Sequence, residues 1–139
     1  MIVGLGIDLV EIARIEALLA RYGMTFAQKL LHETELEQGP DFPPSQPYSR
    51  RHASFLAARF AAKEAAVKAL GTGFSGGIGL HDVRVVRVPS GAPTLEFFGK
   101  AKNRFQTLGA HTSLLSLSHE KSVAGAVVVL EAPYSVIPS

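Results

Sequence analysis

The 139 residues contain no cysteine and no tryptophan, and only two methionines. Without cysteine there is no disulfide framework and no thiolate chemistry. A dominant charge is missing as well. Fourteen Lys and Arg stand against twelve Asp and Glu, a formal net charge of +2. That balance argues against broad nucleic-acid binding, for which only the pI of about 9.1 speaks. No basic residues are interleaved with aromatics to support it. No apolar run approaches the roughly 20 residues of a membrane span. The first residues, Met1 to Asp8, lack a basic segment and meet a carboxylate too early for a signal peptide. The expectation is a soluble cytoplasmic protein with no membrane or nucleic-acid partner. The length suits one domain, 1–139. A hydrophobic share of 47% leaves room for an oligomer interface.

The stretch that organises the chain runs from Ser54 to Leu70 and closes on Gly71-Thr72-Gly73. Alanine and straight-chain residues fill it without a breaker, which predicts a helix with Ser54 as N-cap. Projected at about 100° per residue, Leu56, Phe60 and Val67 form a narrow apolar stripe. Glu64 and Lys68 flank the stripe on one side, Arg59 and Lys63 on the other. The remaining arc is alanine, so no water-facing side is evident. Two readings stay open: a helix chosen for propensity with its charges in water, or a helix packed on most sides whose charges point into a shared polar site.

Before it, Ile2 to Asp8 reads as a strand whose Gly4 and Gly6 suggest close backbone approach. Asp8 is placed at its end, where it either caps the next helix or has another use. Glu11 to Tyr22 reads as an amphipathic helix with Ile12, Ile15 and Leu19 inward, stopped by Gly23. Arg14, Leu18 and Arg21 share the opposite face. Phe26 to Leu31 is a second short helix carrying Lys29, and Thr34 with Glu37 suits a capping box. A mobile proline-rich loop spans 39–49, with its prolines from Pro40 to Pro47. After the central helix, Gly71 to Gly76 matches a dinucleotide fingerprint. That match is a decoy, because it closes a helix instead of opening one. Asp82 to Val88 and Thr94 to Phe98 read as a hairpin, Gly99 to Leu108 as a helix, and Thr112 to Ser118 and Val123 to Leu130 as strands. The segment 133–139 is a loose tail. The class is α+β: helices mostly first, antiparallel strands mostly last, with the N-terminal strand joining the sheet. The last strand is apolar at nearly every position, which predicts cover on both faces, and one small chain has few helices to supply it.

Three blocks give the chain a family resemblance. They are Gly6-Ile7-Asp8 followed by Arg14; Arg59-Phe60-Ala61-Ala62-Lys63-Glu64-Ala65-Ala66-Val67-Lys68-Ala69 ending in Gly71-Thr72-Gly73; and Ser116-Leu117-Ser118-His119 before an Ala/Val-rich final strand. In this order they resemble the small single-copy 4′-phosphopantetheinyl transferases, the holo-[acyl-carrier-protein] synthases, over nearly the whole chain. The proline-rich loop and the tail after Glu131 depart from that pattern but lie outside the motifs.

The resemblance implies a reaction. Coenzyme A gives its phosphopantetheine arm to a serine of an acyl carrier protein, adenosine 3′,5′-bisphosphate leaves, and magnesium is required. It implies use in fatty acid biosynthesis and a homotrimer with sites between subunits. Magnesium takes oxygen ligands, often one or two carboxylates plus phosphates and water, and Asp8 and Glu64 are the expected pair. Lys68, one turn from Glu64, is expected on the phosphates. Glu64 is the first candidate for the base, directly or through a metal-bound water, and Asp8 the second. Arg59 and His119 are candidate phosphate contacts, against an ion pair and an ordinary turn histidine. Gly71 and Gly73 are placed to bring backbone near coenzyme A. Arg14, Leu18 and Arg21, extended by Lys29, form a basic stripe suited to an acidic carrier protein. The alternative is a non-catalytic module that binds coenzyme A or a nucleotide and has no need of the paired carboxylates.

Overall fold

The structure is a computed structural model that describes residues 1–134, so most of the expected tail, 133–139, lies outside the described residues. In chain order the elements are β1 (Ile2–Glu11), α1 (Ile12–Tyr22), α2 (Met24–Leu30), α3 (Glu33–Leu36) and α4 (Arg50–Leu70). A 3-10 turn over Leu80–Asp82 follows, then β2 (Val83–Arg87), β3 (Pro93–Phe97), α5 (Gly99–Thr107), β4 (Thr112–His119) and β5 (Val123–Glu131). The α+β class holds. The strands form two antiparallel sheets, one ordered β1-β5-β4 and the other the β2-β3 hairpin.

Helix α4 is the axis of the molecule. Its Ala53, Leu56, Ala57, Ala61, Ala62, Ala65, Ala66, Val67 and Leu70 are completely excluded from solvent. A helix with so many alanines presents small methyls on most sides, so other elements can close on it all round. Two glycines make the closest approach possible. A Cβ at Gly4 would run into the Ala69 carbonyl, and one at Gly6 into the Ala65 carbonyl and the Ala69 nitrogen. The sheet therefore lies against the helix backbone itself, as the two glycines suggested.

Several boundaries move. Helix α4 begins a turn earlier than expected: Ser49 is the N-cap, its Oγ accepting from the His52 backbone N–H while its own N–H donates to His52 Nδ1. Ser54 is inside the helix. Gly71 closes it in the left-handed region at φ 78°. Asp8 is not at a strand end; β1 runs on to Glu11, and Asp8 pairs across with Ala126. It caps nothing, because the α1 N-cap is Glu11, without a side-chain cap bond. The expected Thr34–Glu37 box is instead His32–Glu35: the Thr34 N–H donates to His32 Nδ1, and the His32 N–H donates to Glu35 Oε1. Helix α2 starts at Met24, and His119 belongs to β4. Each hairpin strand is shifted: Asp82 belongs to the turn, and β3 opens at Pro93.

The proline-rich loop does not hang free. Gln46 donates through Nε2 to the carbonyls of Leu19 and Ala20. Phe42 packs against His52, Tyr48 and Phe55. The last strand, apolar at nearly every position, is covered unevenly. Ala124, Ala126, Val128 and Leu130 are buried against α4, while Val127 on the other face is exposed. Only one face is covered within the chain.

Candidate active site

The even-numbered side of β1 turns toward α4, and Asp8 is its acidic residue. Gly6, two positions earlier, holds that strand against the helix turn that carries Glu64 and Lys68. Lys68 Nζ donates to Asp8 Oδ1 at 2.8 Å and to the Ile7 carbonyl at 3.1 Å. The hydrogen bond to Asp8 and that carboxylate's charge hold the Lys68 ammonium above its ordinary pKa. Glu64 is half-buried beside the pair. Burial first, and the Asp8 charge second, push its carboxyl above the ordinary value, against the pull of Lys68 and Arg14. Arg14, from α1, also lies over the Phe60 ring, 5.7 Å from its centroid.

The donor set fits a small divalent cation. Two neighbouring carboxylates, with oxygen the only protein donor type, match what magnesium selects. Among the described residues no third histidine or carboxylate completes a protein-only cage. The other coordination positions would fall to water and to substrate phosphate.

Arg59 and His119 do not join this cluster. They line a separate cleft of about 520 Å³ with Arg50, Arg51 and Arg87. Arg59 is 6% exposed, stacks over Phe55 at 4.6 Å, and has no partner for its Nε and Nη2. Burial, with Arg87 nearby, pulls its guanidinium down to about 10, so it is still charged at neutral pH. Arg50 is engaged by Glu16 and by the Lys121 carbonyl, which leaves Arg51, Arg59 and Arg87, with His119 beside them, to face an anion. The charges of α4 thus serve three places and not one shared site. Glu64 and Lys68 face Asp8, and Arg59 faces the cleft. Lys63 is wholly buried on Glu35, at 2.8 Å.

Arg14 and Arg21 are exposed on α1 with Leu18 half-buried between them, and Arg21 lies against its neighbour Tyr22. The expected stripe is present, and it begins beside Glu64. Lys29 borders a different surface groove with Thr25, Gln28 and His81. After α4, the Thr72 and Gly73 N–H groups donate back to the Val67 carbonyl, and a Cβ at Gly73 would meet open space.

The sequence matches the model of the 4′-phosphopantetheinyl transferase superfamily over residues 4–128. The chain belongs to that family. The holo-[acyl-carrier-protein] synthase of Nitratidesulfovibrio vulgaris is 50% identical over 131 residues, which cover 94% of this chain and 99% of that one. Among solved structures, the Helicobacter pylori synthase in complex with coenzyme A is 30% identical with a TM-score of 0.74, covering 91% of this chain and 99% of that chain. The Bacillus anthracis synthase, in complex with CoA (3′,5′-ADP), is 35% identical with a TM-score of 0.71, covering 96% and 99%. These are phosphopantetheinyl transferases, and the carboxylate-lysine cluster of this family member lies on the motif blocks that suggested the family.

Three cleft residues went unread in the sequence: Arg50, Arg51 and Arg87. A signal was there. Ser49-Arg50-Arg51 opens a helix with cations, where the helix dipole favours anions. Basic residues at a helix N-terminus have another use.

Proposed function

We propose that this chain is a holo-[acyl-carrier-protein] synthase, moving the phosphopantetheine arm of coenzyme A onto a serine of an apo acyl carrier protein in support of fatty acid biosynthesis. The observation that carries the reading is Asp8, Glu64 and Lys68 gathered at the edge of α4, beside an exposed basic stripe. The serine oxygen forms a bond to the phosphorus that bears the pantetheine. The bond from that phosphorus to the bridging oxygen breaks, and adenosine 3′,5′-bisphosphate leaves. Glu64 takes the serine proton, which its raised pKa suits. Lys68 swings from Asp8 onto the phosphates and neutralises charge as it develops. Asp8 and Glu64 would hold magnesium, which supplies charge neutralisation on the pyrophosphate. Gly71 and Gly73 leave the backbone beside Lys68 open to the pantetheine. Arg14, Leu18 and Arg21 receive the acidic carrier, and Lys29, on its separate groove, is left out of that stripe. The site is for a soluble carrier and coenzyme A in the cytoplasm, with no nucleic acid or membrane.

The unit that works is a homotrimer in this proposal, and the division of charges supports it. Asp8 lies on β1 and His119 on β4, with β5 between them. The arginine cleft, which would take the phosphates of the nucleotide, therefore lies apart from the carboxylates of its own chain. The outer face of the sheet provides the means to pair them across subunits. Leu5, Ile7 and Leu9 are 66%, 60% and 70% exposed, with Leu114 and Val127 beside them. An apolar face of that kind marks an interface.

Incubation of an apo carrier with coenzyme A and magnesium, followed by mass spectrometry, tests the reading. A gain of one phosphopantetheine is expected. Coenzyme A binding without that gain would identify a non-catalytic binder.

A further inference from the structure

We propose that Lys63 is a positioning residue: pinned to Glu35 and two carbonyls, it sets the roll of α4 about its own axis and so aims Glu64 at Asp8. The proposal rests on the transferase reading above.

Lys63 Nζ donates to Glu35 Oε1 at 2.8 Å, to the Leu80 carbonyl at 2.7 Å and to the Val83 carbonyl at 2.7 Å. All three ammonium protons are used. Glu35 is equally engaged: Oε1 also accepts from the His32 N–H at 3.0 Å, and Oε2 from the Val85 N–H at 3.0 Å. Both side chains are completely buried. One ion pair thus joins α3, α4, the 3-10 turn and β2 by directional bonds.

Such a pair is a poor device for stability alone, since apolar residues of similar volume often do as well. It is a good device for register, and α4 is short of register. Ridges of large side chains normally interlock helices. Here alanines, Ala57, Ala58, Ala61, Ala62, Ala65, Ala66 and Ala69 among them, supply most of the buried surface, and Leu56, Val67 and Leu70 are its few large apolar side chains. Small methyls resist rotation and sliding weakly. The Gly4 and Gly6 contacts fix how close the helix lies to β1, and the three bonds of Lys63 fix its rotation. Glu64 is the next residue, about 100° further round, so an error in roll passes directly to its carboxylate. Through Val83 and Val85 the same pin holds β2, the strand that carries Arg87 into the cleft.

The test separates holding the fold from aiming the site. In the double variant Lys63→Met/Glu35→Leu, the buried charges are replaced together. It is expected to melt at or above the wild-type temperature. Its kcat should fall at least about 10-fold, as misplaced catalytic groups do, with KM for the carrier unchanged. A double variant that keeps the wild-type kcat overturns the proposal. If it does not fold, Glu35→Gln decides instead. That change keeps one acceptor but turns an N–H toward a donor, and it should lower kcat several-fold at constant carrier KM. A folded Glu35→Gln with wild-type kcat equally overturns it. Wild-type protein that transfers nothing would sink the transferase reading itself. An active wild type beside an equally active double variant would sink only the role of Lys63.

Discussion

Lys68 donates to the Asp8 carboxylate across the seam between helix α4 and strand β1, with Nζ 2.8 Å from Oδ1. The lysine occupies an oxygen that magnesium would need, and it is half-exposed, so it is free to leave. Lys68→Met should have two opposite effects. Turnover should fall about 100-fold, the cost of losing a charge-stabilising donor in the transition state. Binding of Mn²⁺, a spectroscopic stand-in for magnesium, should tighten, because Asp8 no longer has a competing cation. Weaker Mn²⁺ binding in the variant would show that the lysine organises the carboxylates instead of covering them.

Glu64 gives a stability prediction. Its folded-state pKa lies above the ordinary 4.5, because of burial and then of Asp8. The unfolded chain therefore gives up this proton at a lower pH than the folded one. Above the unfolded value, ionisation favours unfolding, and the penalty is complete once pH exceeds the folded value. Glu64→Gln removes it. Without metal the variant should melt higher than wild type at pH 8, and the gap should close as pH falls to about 4.5. It should also lack transfer activity at saturating magnesium. Equal melting curves at pH 8 would mean that Glu64 is not strained.

Gly6 tests how the site is assembled. A methyl group there collides with backbone of α4, which cannot step aside as a side chain could. Gly6→Ala should cost about 3 kcal/mol in denaturant unfolding. It should lower turnover even under conditions where the protein is fully folded, since Asp8 and Glu64 are moved apart.

Much of this site was legible in the sequence because its residues break rules for simple elements. Gly4 and Gly6 weaken a strand, and α4 places alanine where a surface helix would place charge. Asp8 interrupts an apolar run. Each anomaly is local, so each can be seen in a short window. The arginine cleft is different. Arg51, Arg87 and His119 come from a helix start, a hairpin and a strand end, and only the tertiary fold makes them neighbours. Glu35 was hidden for the same reason. In a polar stretch it looks like any surface glutamate, and its partner is 28 residues away. The apolar run of β5 calls for cover on both faces, but a run of that kind does not say which chain supplies the outer cover.

The carrier stripe should act through association. Arg14→Glu and Arg21→Glu should each raise the carrier KM about 10-fold at low salt and much less at high salt, since exposed charges are screened. The KM for coenzyme A should stay constant for Arg21→Glu. Arg14 is nearer Glu64, so its reversal should in addition lower kcat. Carrier kinetics that ignore both reversals at low salt would assign the stripe to plain solvated surface.

The last prediction concerns the division of labour between subunits. Within one chain the cleft of Arg59, Arg87 and His119 is lined by none of Asp8, Glu64 and Lys68. If a neighbour's cleft completes each site, two differently damaged proteins should repair one another. Glu64→Ala lacks the carboxylate and keeps the cleft. His119→Ala keeps the carboxylates and lacks one wall of the cleft. Each alone should be nearly inactive. After subunit exchange, a mixed trimer contains an interface where intact carboxylates face an intact cleft, and part of the activity should return. A third variant tests the contact that brings them together. Ile7→Asp puts a charge into the middle of the exposed sheet face, where it should break the trimer while the buried side of β1 stays in place. Light scattering should then report a monomer without transfer activity. Recovery on mixing that fails while light scattering shows exchanged trimers would place both half-sites in one chain. An Ile7→Asp monomer with full activity would show that no second subunit is needed.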